Sequence, residues 1–461
     1  MKNYDVAVVG GGPGGYIAAE EAAKYGNSVA IIENNHLGGT CLNTGCIPSK
    51  TLLRHSEVIE LMKKAKQWGI EYENLSISLE KMLRRKNKVI ENLRAGVASL
   101  LNQVQVDVYN GTATVQQDNR ISIDKKEEIR ANKIIIATGS KPFIPPIQGV
   151  EHTNVHTTDT IFDIERVPDS LVIIGGGVIG VEIACVFSSL NVDVTIIEMT
   201  DRLIAGEDED AAEQIRKTLE QTHVNIHTSS QVEEVAEKPN GKIVHVTTEN
   251  GELLAIEADE LLFASGRKPN LSAVSKLHLQ MNGPFIAVNK QMQTSRPNIY
   301  AVGDVVGGWQ LAHVASAEGV VAAANASHEA REIDYTVVPR CIYSLPEIAS
   351  VGLSEKEAKE KGHEVRTETF PLQRNGKAFA MDERTGFIKL IAGEAFNEIL
   401  GIVMVGPHVT EMISEASAFI ALEGTVSELA SMIHPHPTLS EGIWEVARSW
   451  LANKQSPVMT L

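Results

Sequence analysis

Cysteine is scarce in this chain, with four in 461 residues. So few exclude a disulfide-stapled secreted scaffold and suit a reducing compartment. An excess of positive charge is missing too. The formal net charge is −17, which argues against nucleic acid as a partner, because a phosphate backbone is held by clustered lysine and arginine. No long uninterrupted apolar run occurs either. The most apolar stretch, LVIIGGGVIGVEIACVF from Leu171, is broken by glycines and by Glu182, so it reads as strand, turn and helix and not as a membrane span. The opening MKNYDVAVVG enters a strand at once, leaving no room for a signal peptide. No cysteine and histidine grouping supplies the three or four ligands of a metal site. The expectation is a cytoplasmic protein with no membrane, nucleic-acid or metal partner. With 43% apolar residues, the length allows about three domains of roughly 150 residues each.

Glycine is where the information begins. Gly10-x-Gly12-x-x-Gly15 follows the apolar run YDVAVV and opens a helix-like stretch from Tyr16 to Tyr25, and SVAII then ends at Glu33. Strand, glycines, helix, strand and acid in that order form the context that turns a weak motif into a dinucleotide site. The glycines permit a tight turn and bring a pyrophosphate to a helix N-terminus, while the acid faces ribose hydroxyls. The device recurs at Gly175-x-Gly177-x-x-Gly180, after DSLVII and before a helix from Val181, with Glu198 ending VDVTIIE. The first glycine precedes the acid by 23 positions in both copies. The predicted fold class is α/β, with two Rossmann-like dinucleotide-binding domains. Glu198 suits a free 2′-hydroxyl and repels a 2′-phosphate, which favours NAD, although Arg202 stands four positions on.

Between the two units lies GGTCLNTGCIPSK, Gly38 to Lys50, with Cys41 and Cys46 separated by four residues. Two thiols can simply pack in a core. A zinc site would need further ligands, and Cys185 and Cys341 are isolated. A redox pair beside a nucleotide is the third reading. In a regular helix, positions five apart rise about 7.5 Å, whereas a disulfide joins Cα atoms about 4.4–6.8 Å apart. A bond therefore requires a distorted segment, which Asn43, Thr44 and Gly45 permit. Pro48 suits the first turn of a following helix.

The last motif is HPHPTLSE, His434 to Glu441. It reads as a turn, as half a metal site lacking its other ligands, or as an acid–base His436 oriented by Glu441. An imidazolium near a sulfur also favours the thiolate, yet Cys41 lies nearly 400 residues away in the sequence. Composition divides the chain at 1–143, 144–270, 271–336 and 337–461. The proline-rich KPFIPPIQG (Lys141 to Gly149) acts as connector, and an α+β C-terminal domain carries the helix Val409–Leu422. The helix from about Ser78 to Gln103 is expected to pack on the core.

The motifs GGGPGGY, GGTCLNTGCIPSK, ATGS, GGGVIGVE, ASGRKPN, TSRPNIYAVGD with LAH (Leu311 to His313), CIYSLPE and HPHPTLSE occur in this order along the whole chain. Together they resemble the flavin-dependent pyridine nucleotide–disulfide oxidoreductases. LNTGCIPSK and LAH favour their lipoamide branch, the dihydrolipoyl dehydrogenases. The resemblance implies FAD on residues 1–143, NAD on 144–270, a central segment 271–336 completing the FAD site, and a dimerisation domain at 337–461. It also implies a homodimer in which His436 of one subunit meets the thiols of the other. Cys41 would exchange with substrate and Cys46 would face the flavin, with Lys50 near the flavin N5 and paired to Glu182. Gly139 of ATGS, Asp304, Ala312 and Gly111 would contact FAD, and Val232 and Gly266 would line the NAD site. The partners implied are lipoyl domains of 2-oxo acid dehydrogenase complexes or the glycine-cleavage lipoyl protein, supplied by another chain. Rival readings are a glutathione- or mercuric-reductase-like enzyme and a non-enzymatic redox sensor. Glutathione-type enzymes carry an arginine where Glu20 stands, and the SPVMTL end lacks the extra cysteines of mercuric and large thioredoxin reductases.

Overall fold

The strand Lys2–Val9 alternates into a fully buried run and pairs in parallel with Val29–Glu33 on one side and Glu127–Ile136 on the other. Strands buried on both faces read as continuous apolar segments, as YDVAVV and KIIIA do. In this computed structural model, which describes residues 1–455, Asp107–Asn110 extends the sheet at one edge. The antiparallel Arg120–Ile123 and Ala113–Val115 extend the other. The sheet gains Ile299–Ala301 from the far side of the chain, which pairs in parallel with Ile134–Ile136. The tail SPVMTL lies outside the described residues.

The second unit repeats the plan on a smaller scale. Its five parallel strands run in the order Asn225–His227, Asp193–Ile197, Ser170–Ile174, Glu260–Phe263 and His156–Thr157. An antiparallel trio, Gln231–Lys238, Gly241–Thr247 and Leu253–Ala258, packs beside it. The connectors between the units pair with each other, Ser140–Pro142 against Arg267–Pro269. From Arg340 an antiparallel five-stranded sheet takes over, flanked by the helices Val409–Ala421 and Glu441–Gln455, with Trp450 fully buried beneath it.

The glycine-turn helices start one turn earlier than expected, at Pro13 and Val178 and not at Tyr16 and Val181. Glycine disfavours helix locally, but Pro13 is preset for the first helical position, and Gly15 and Gly180 are pressed against the turn itself. Among the described residues no helix is long and apolar enough to cross a membrane.

Candidate functional site

The two glycine turns are built alike. Gly10 has φ +106° and Gly175 φ +114°. A Cβ on Gly15 would lie 1.9 Å from the Gly10 carbonyl oxygen, and one on Gly180 2.0 Å from that of Gly175. Each acid closes its own turn. Glu33 accepts the Gly11 N–H at 2.7 Å and that of Asn35 at 2.8 Å. Glu198 accepts the Gly176 N–H at 2.6 Å and that of Thr200 at 2.7 Å. Arg202 is engaged by its own loop, donating to the Ala205 carbonyl and pairing with Glu209 at 3.4 Å.

The surroundings fit two dinucleotides. The helices Pro13–Lys24 and Val178–Ser189 begin at Gly12 and Gly177 with no side-chain cap, leaving N–H groups and dipole for an anion. A Cβ on Gly139, Gly177 or Gly266 would meet no protein atom within 4 Å, so open space adjoins the turns where a cofactor would lie. Asp304 accepts the Ser140 hydroxyl at 2.5 Å. Ala312 is the first residue of a further helix lacking a side-chain cap, Ala312–Ala326. Gly111 donates to the Glu33 carbonyl at 2.8 Å. The Val232 side chain is buried in the antiparallel trio, which leaves only its backbone for a ligand.

The cysteines occupy the distortion that the spacing required. Cys41 sits in the short helix Gly39–Asn43 and Cys46 opens the helix Cys46–Ala65, with the break at Thr44 and Gly45. Both are half-buried thiols. The Cys41 S–H donates to Cys46, and together with Lys50 one turn along this lowers the Cys46 thiol to about 7 against the cost of burial. The same bond and burial push Cys41 upward. Lys50 donates to both oxygens of buried Glu182, at 2.9 and 2.8 Å, and lies 4.5 Å from the Tyr343 ring centroid. Glu182 also accepts the Tyr343 N–H at 3.0 Å.

His436 is 78% exposed, with Nδ1 2.8 Å from Glu441 Oε1. Glu441 takes the Thr438 N–H on its other oxygen at 2.8 Å. That bond, then the histidine, hold its carboxyl below the usual range. A carboxylate accepting from Nδ1 leaves Nε2 as the free, basic nitrogen. His434, in the same run, is buried against Glu415 at 2.8 Å. Within one chain no hydrogen bond or ion pair among the described residues joins the histidine turn to the thiols.

Residues that the sequence did not single out complete the site. Arg267 donates to the hydroxyls of Ser140 at 2.7 Å, Thr158 at 3.1 Å and Thr40 at 3.4 Å. It thereby joins both connectors to the cysteine segment. Asp159 accepts from Thr44, between the thiols, at 3.4 Å. Arg267 stood inside ASGRKPN, but its partners are distant in sequence. Among the described residues no metal-binding cluster forms.

Residues 4–319 match the pyridine nucleotide-disulphide oxidoreductase family, and residues 338–447 match its dimerisation domain. A dihydrolipoyl dehydrogenase of Bacillus subtilis is 40% identical, covering 96% of this chain and 97% of its own. One from Mycobacterium leprae is 37% identical over 96% and 97% of the two chains. Among solved structures, LpdA of Mycobacterium tuberculosis aligns with TM-score 0.88 at 26% identity, covering 98% of this chain and all of its own. The HOCl-induced flavoprotein disulfide reductase RclA of Escherichia coli aligns with TM-score 0.87 at 28% identity over 96% and 99%. With both segments matched and near full-length relatives above the level of chance likeness, the chain belongs to the pyridine nucleotide-disulphide oxidoreductase family.

Proposed function

We propose that this oxidoreductase is a dihydrolipoyl dehydrogenase, oxidising protein-bound dihydrolipoyl groups and reducing NAD⁺. The observation that carries the reading is the pair of unequal thiols, with Cys46 stabilised as thiolate at a helix start beside the Lys50–Glu182 pair. FAD and NAD are the cofactors of this family. Residues 1–143 and 271–336 hold FAD through Gly10, Gly12, Gly15, Glu33, Gly111, Gly139, Asp304 and Ala312. Residues 144–270 hold NAD through Gly175, Gly177, Gly180, Glu198, Val232 and Gly266. Residues 337–461 join two copies, so that the partner subunit's His436 reaches Cys41. The enzyme works in the cytoplasm, on lipoyl groups borne by a 2-oxo acid dehydrogenase complex or a glycine-cleavage protein.

In the oxidised state Cys41 and Cys46 form a disulfide. His436, oriented by Glu441, takes the proton of a substrate thiol. The thiolate attacks the Cys41 sulfur, the S–S bond breaks, and Cys46 leaves as thiolate, its charge offset by Lys50. The second substrate sulfur then attacks the mixed disulfide and releases the oxidised lipoyl ring. Cys41 takes the proton held by His436, which accepts that of the second substrate thiol in turn, and the electron pair resides on the Cys41 thiol and Cys46 thiolate. Bound FAD would supply the route by which that pair reaches NAD⁺ as hydride.

The test is a turnover assay of Cys46→Ser and His436→Gln beside the native protein, using lipoamide, glutathione disulfide and Hg²⁺ with NADH and NADPH. Cys46→Ser should lose lipoamide turnover by about 10³-fold or more. His436→Gln should lose about 10²–10⁴-fold while keeping FAD. Full activity in Cys46→Ser, or faster turnover of glutathione disulfide or Hg²⁺ than of lipoamide, would overturn the proposal.

A further inference from the structure

Glu318 stands 3% exposed in the helix Ala312–Ala326, whose other buried residues are alanine, valine and glycine. A buried carboxylate is costly unless its lone pairs are answered. Among the described residues no lysine, arginine or histidine lies within ion-pair distance of it, as it does for buried Glu182. Two neutral donors answer it instead. The Gly303 N–H donates to Oε2 at 2.7 Å and the Tyr335 hydroxyl to Oε1 at 2.6 Å. Burial pushes the Glu318 carboxyl above its usual range against these two bonds, and Asp304 adds like charge. A group kept at such cost, outside the thiol chemistry, points to a task.

The task follows from what its two donors are. Gly303 has φ +75° and directly precedes Asp304, where the strand Ile299–Ala301 gives way to the 3₁₀ turn Gly303–Val306. Its N–H is the last backbone donor before the carboxylate assigned to the flavin ribitol. Tyr335 lies on the segment leading to the strand Arg340–Ile342, on the opposite side of the carboxylate in sequence. The helix between them cannot slide. A Cβ on Gly319 would lie 2.4 Å from the Gly14 carbonyl oxygen, and one on Gly14 2.9 Å from that of Ala315. Backbone thus touches backbone between this helix and the first glycine-turn helix, fixing Glu318 relative to that turn.

We propose that Glu318, clamped by Tyr335, is a positioning residue for the flavin: it holds the Gly303 N–H and so sets the direction in which Asp304 presents its carboxylate to the ribitol. Both oxygens of Glu318 are spent on protein donors, so it acts through Gly303. This rests on FAD occupying the first unit and is independent of the lipoamide reading.

The experiment uses the full-length, FAD-loaded protein and its flavin-free form, with Glu318→Met, Glu318→Gln and Tyr335→Phe. Glutamine keeps the shape, and its carbonyl can accept from Gly303 while its amide donates to the Tyr335 oxygen. Flavin release after dilution, followed by the rise in flavin fluorescence, should be about tenfold faster in Glu318→Met. It should be near native in Glu318→Gln and intermediate in Tyr335→Phe. The melting temperature of the loaded Glu318→Met protein should fall while that of its flavin-free form stays near native. Native-like release from Glu318→Met would overturn the proposal. So would equal loss of stability in loaded and flavin-free forms, which marks a merely structural carboxylate, or release from Glu318→Gln as fast as from Glu318→Met, which makes charge the cause. If Glu318→Met does not fold, Tyr335→Phe decides, and unchanged release from it overturns the proposal. Lipoamide is absent from the assay, so a different substrate leaves the outcome intact.

Discussion

Two residues after Gly15 the first glycine-turn helix presents Ile17, and two residues after Gly180 the second presents Glu182. The turns before them have the same glycines, the same positive φ and the same acid-to-amide bond. What differs is the helix each one packs against. The first lies on Ala312–Ala326, backbone against backbone at Gly14 and Gly319. The second carries Ile179 where the first has Gly14, and it lies on the cysteine-bearing helix Cys46–Ala65, with Ser189 bonded to Ser56 at 2.9 Å. Only there does a carboxylate, that of Glu182, reach Lys50. A repeated turn fixes where a pyrophosphate can sit. The outward face of its helix decides whether the unit also serves the thiols.

The largest effect should come from breaking one turn at a time. In Gly15→Val or Gly180→Val the new Cβ would fall about 2 Å from a backbone carbonyl, which no side-chain rotation relieves. Inserting extra methylenes costs about 1–3 kcal/mol and occasionally more, and a clash with fixed backbone at this distance lies above that range, so a loss of affinity beyond about a hundredfold is expected. Gly15→Val should lose flavin, read as the flavin-to-protein absorbance ratio. Gly180→Val should stay flavin-loaded and lose NADH binding, read by fluorescence titration. If either variant loses both cofactors, the two units are not independent binding sites.

A smaller effect should follow from giving the second helix the first helix's residue. Glu182→Ile leaves Lys50 without its partner and the Tyr343 N–H without its acceptor. Breaking a buried pair costs about 3–5 kcal/mol. Because the Lys50 side chain is 31% exposed and regains some water, about 2–3 kcal/mol is expected, read as a shift in urea midpoint. A loss below about 0.5 kcal/mol, the range of ordinary surface changes, would mean that Ile17 and Glu182 are interchangeable fillers.

Local constraints were legible in the sequence and distant ones were not. Gly10, Gly15, Gly175 and Gly180 announce turns because no other residue tolerates those contacts, and the five-residue step from Cys41 to Cys46 demanded a helix break because a regular helix is too long. Glycine propensity hides the first turns of both helices, because it opposes helix where Pro13 and the close packing of Gly15 and Gly180 on the turn favour it. Spacing marks Glu33 and Glu198 as ribose ligands, yet each also closes its own turn, a use that spacing does not reveal. Arg267, Tyr343 and Glu318 owe their meaning to partners brought together by the fold. No hydrogen bond or ion pair among the described residues joins His436 to Cys41 within one chain, and the proposed pairing of the two therefore rests on a second copy.

The smallest effect is a shift in one titration, and it tests what Glu182 is for. Cys46 is lowered to about 7, while burial raises Cys185 to about 12 and Cys341 to about 11. Cys41 is raised as well. Of the four thiols, Cys46 alone should therefore titrate near neutrality. In the reduced protein, ultraviolet thiolate absorbance should rise with a midpoint near 7, the thiolate dominating above it and the thiol below. Lys50 favours that thiolate and Glu182 opposes it. Lys50→Met should move the midpoint up and Glu182→Gln should move it down, each by about a unit. Glutamine still accepts from Lys50, so the ammonium stays in place while the opposing charge is gone. If Glu182→Gln instead moves the midpoint up, the carboxylate matters because it holds Lys50 against the sulfur. The second helix would then owe its divergence from the first to placing a cation, with the negative charge incidental.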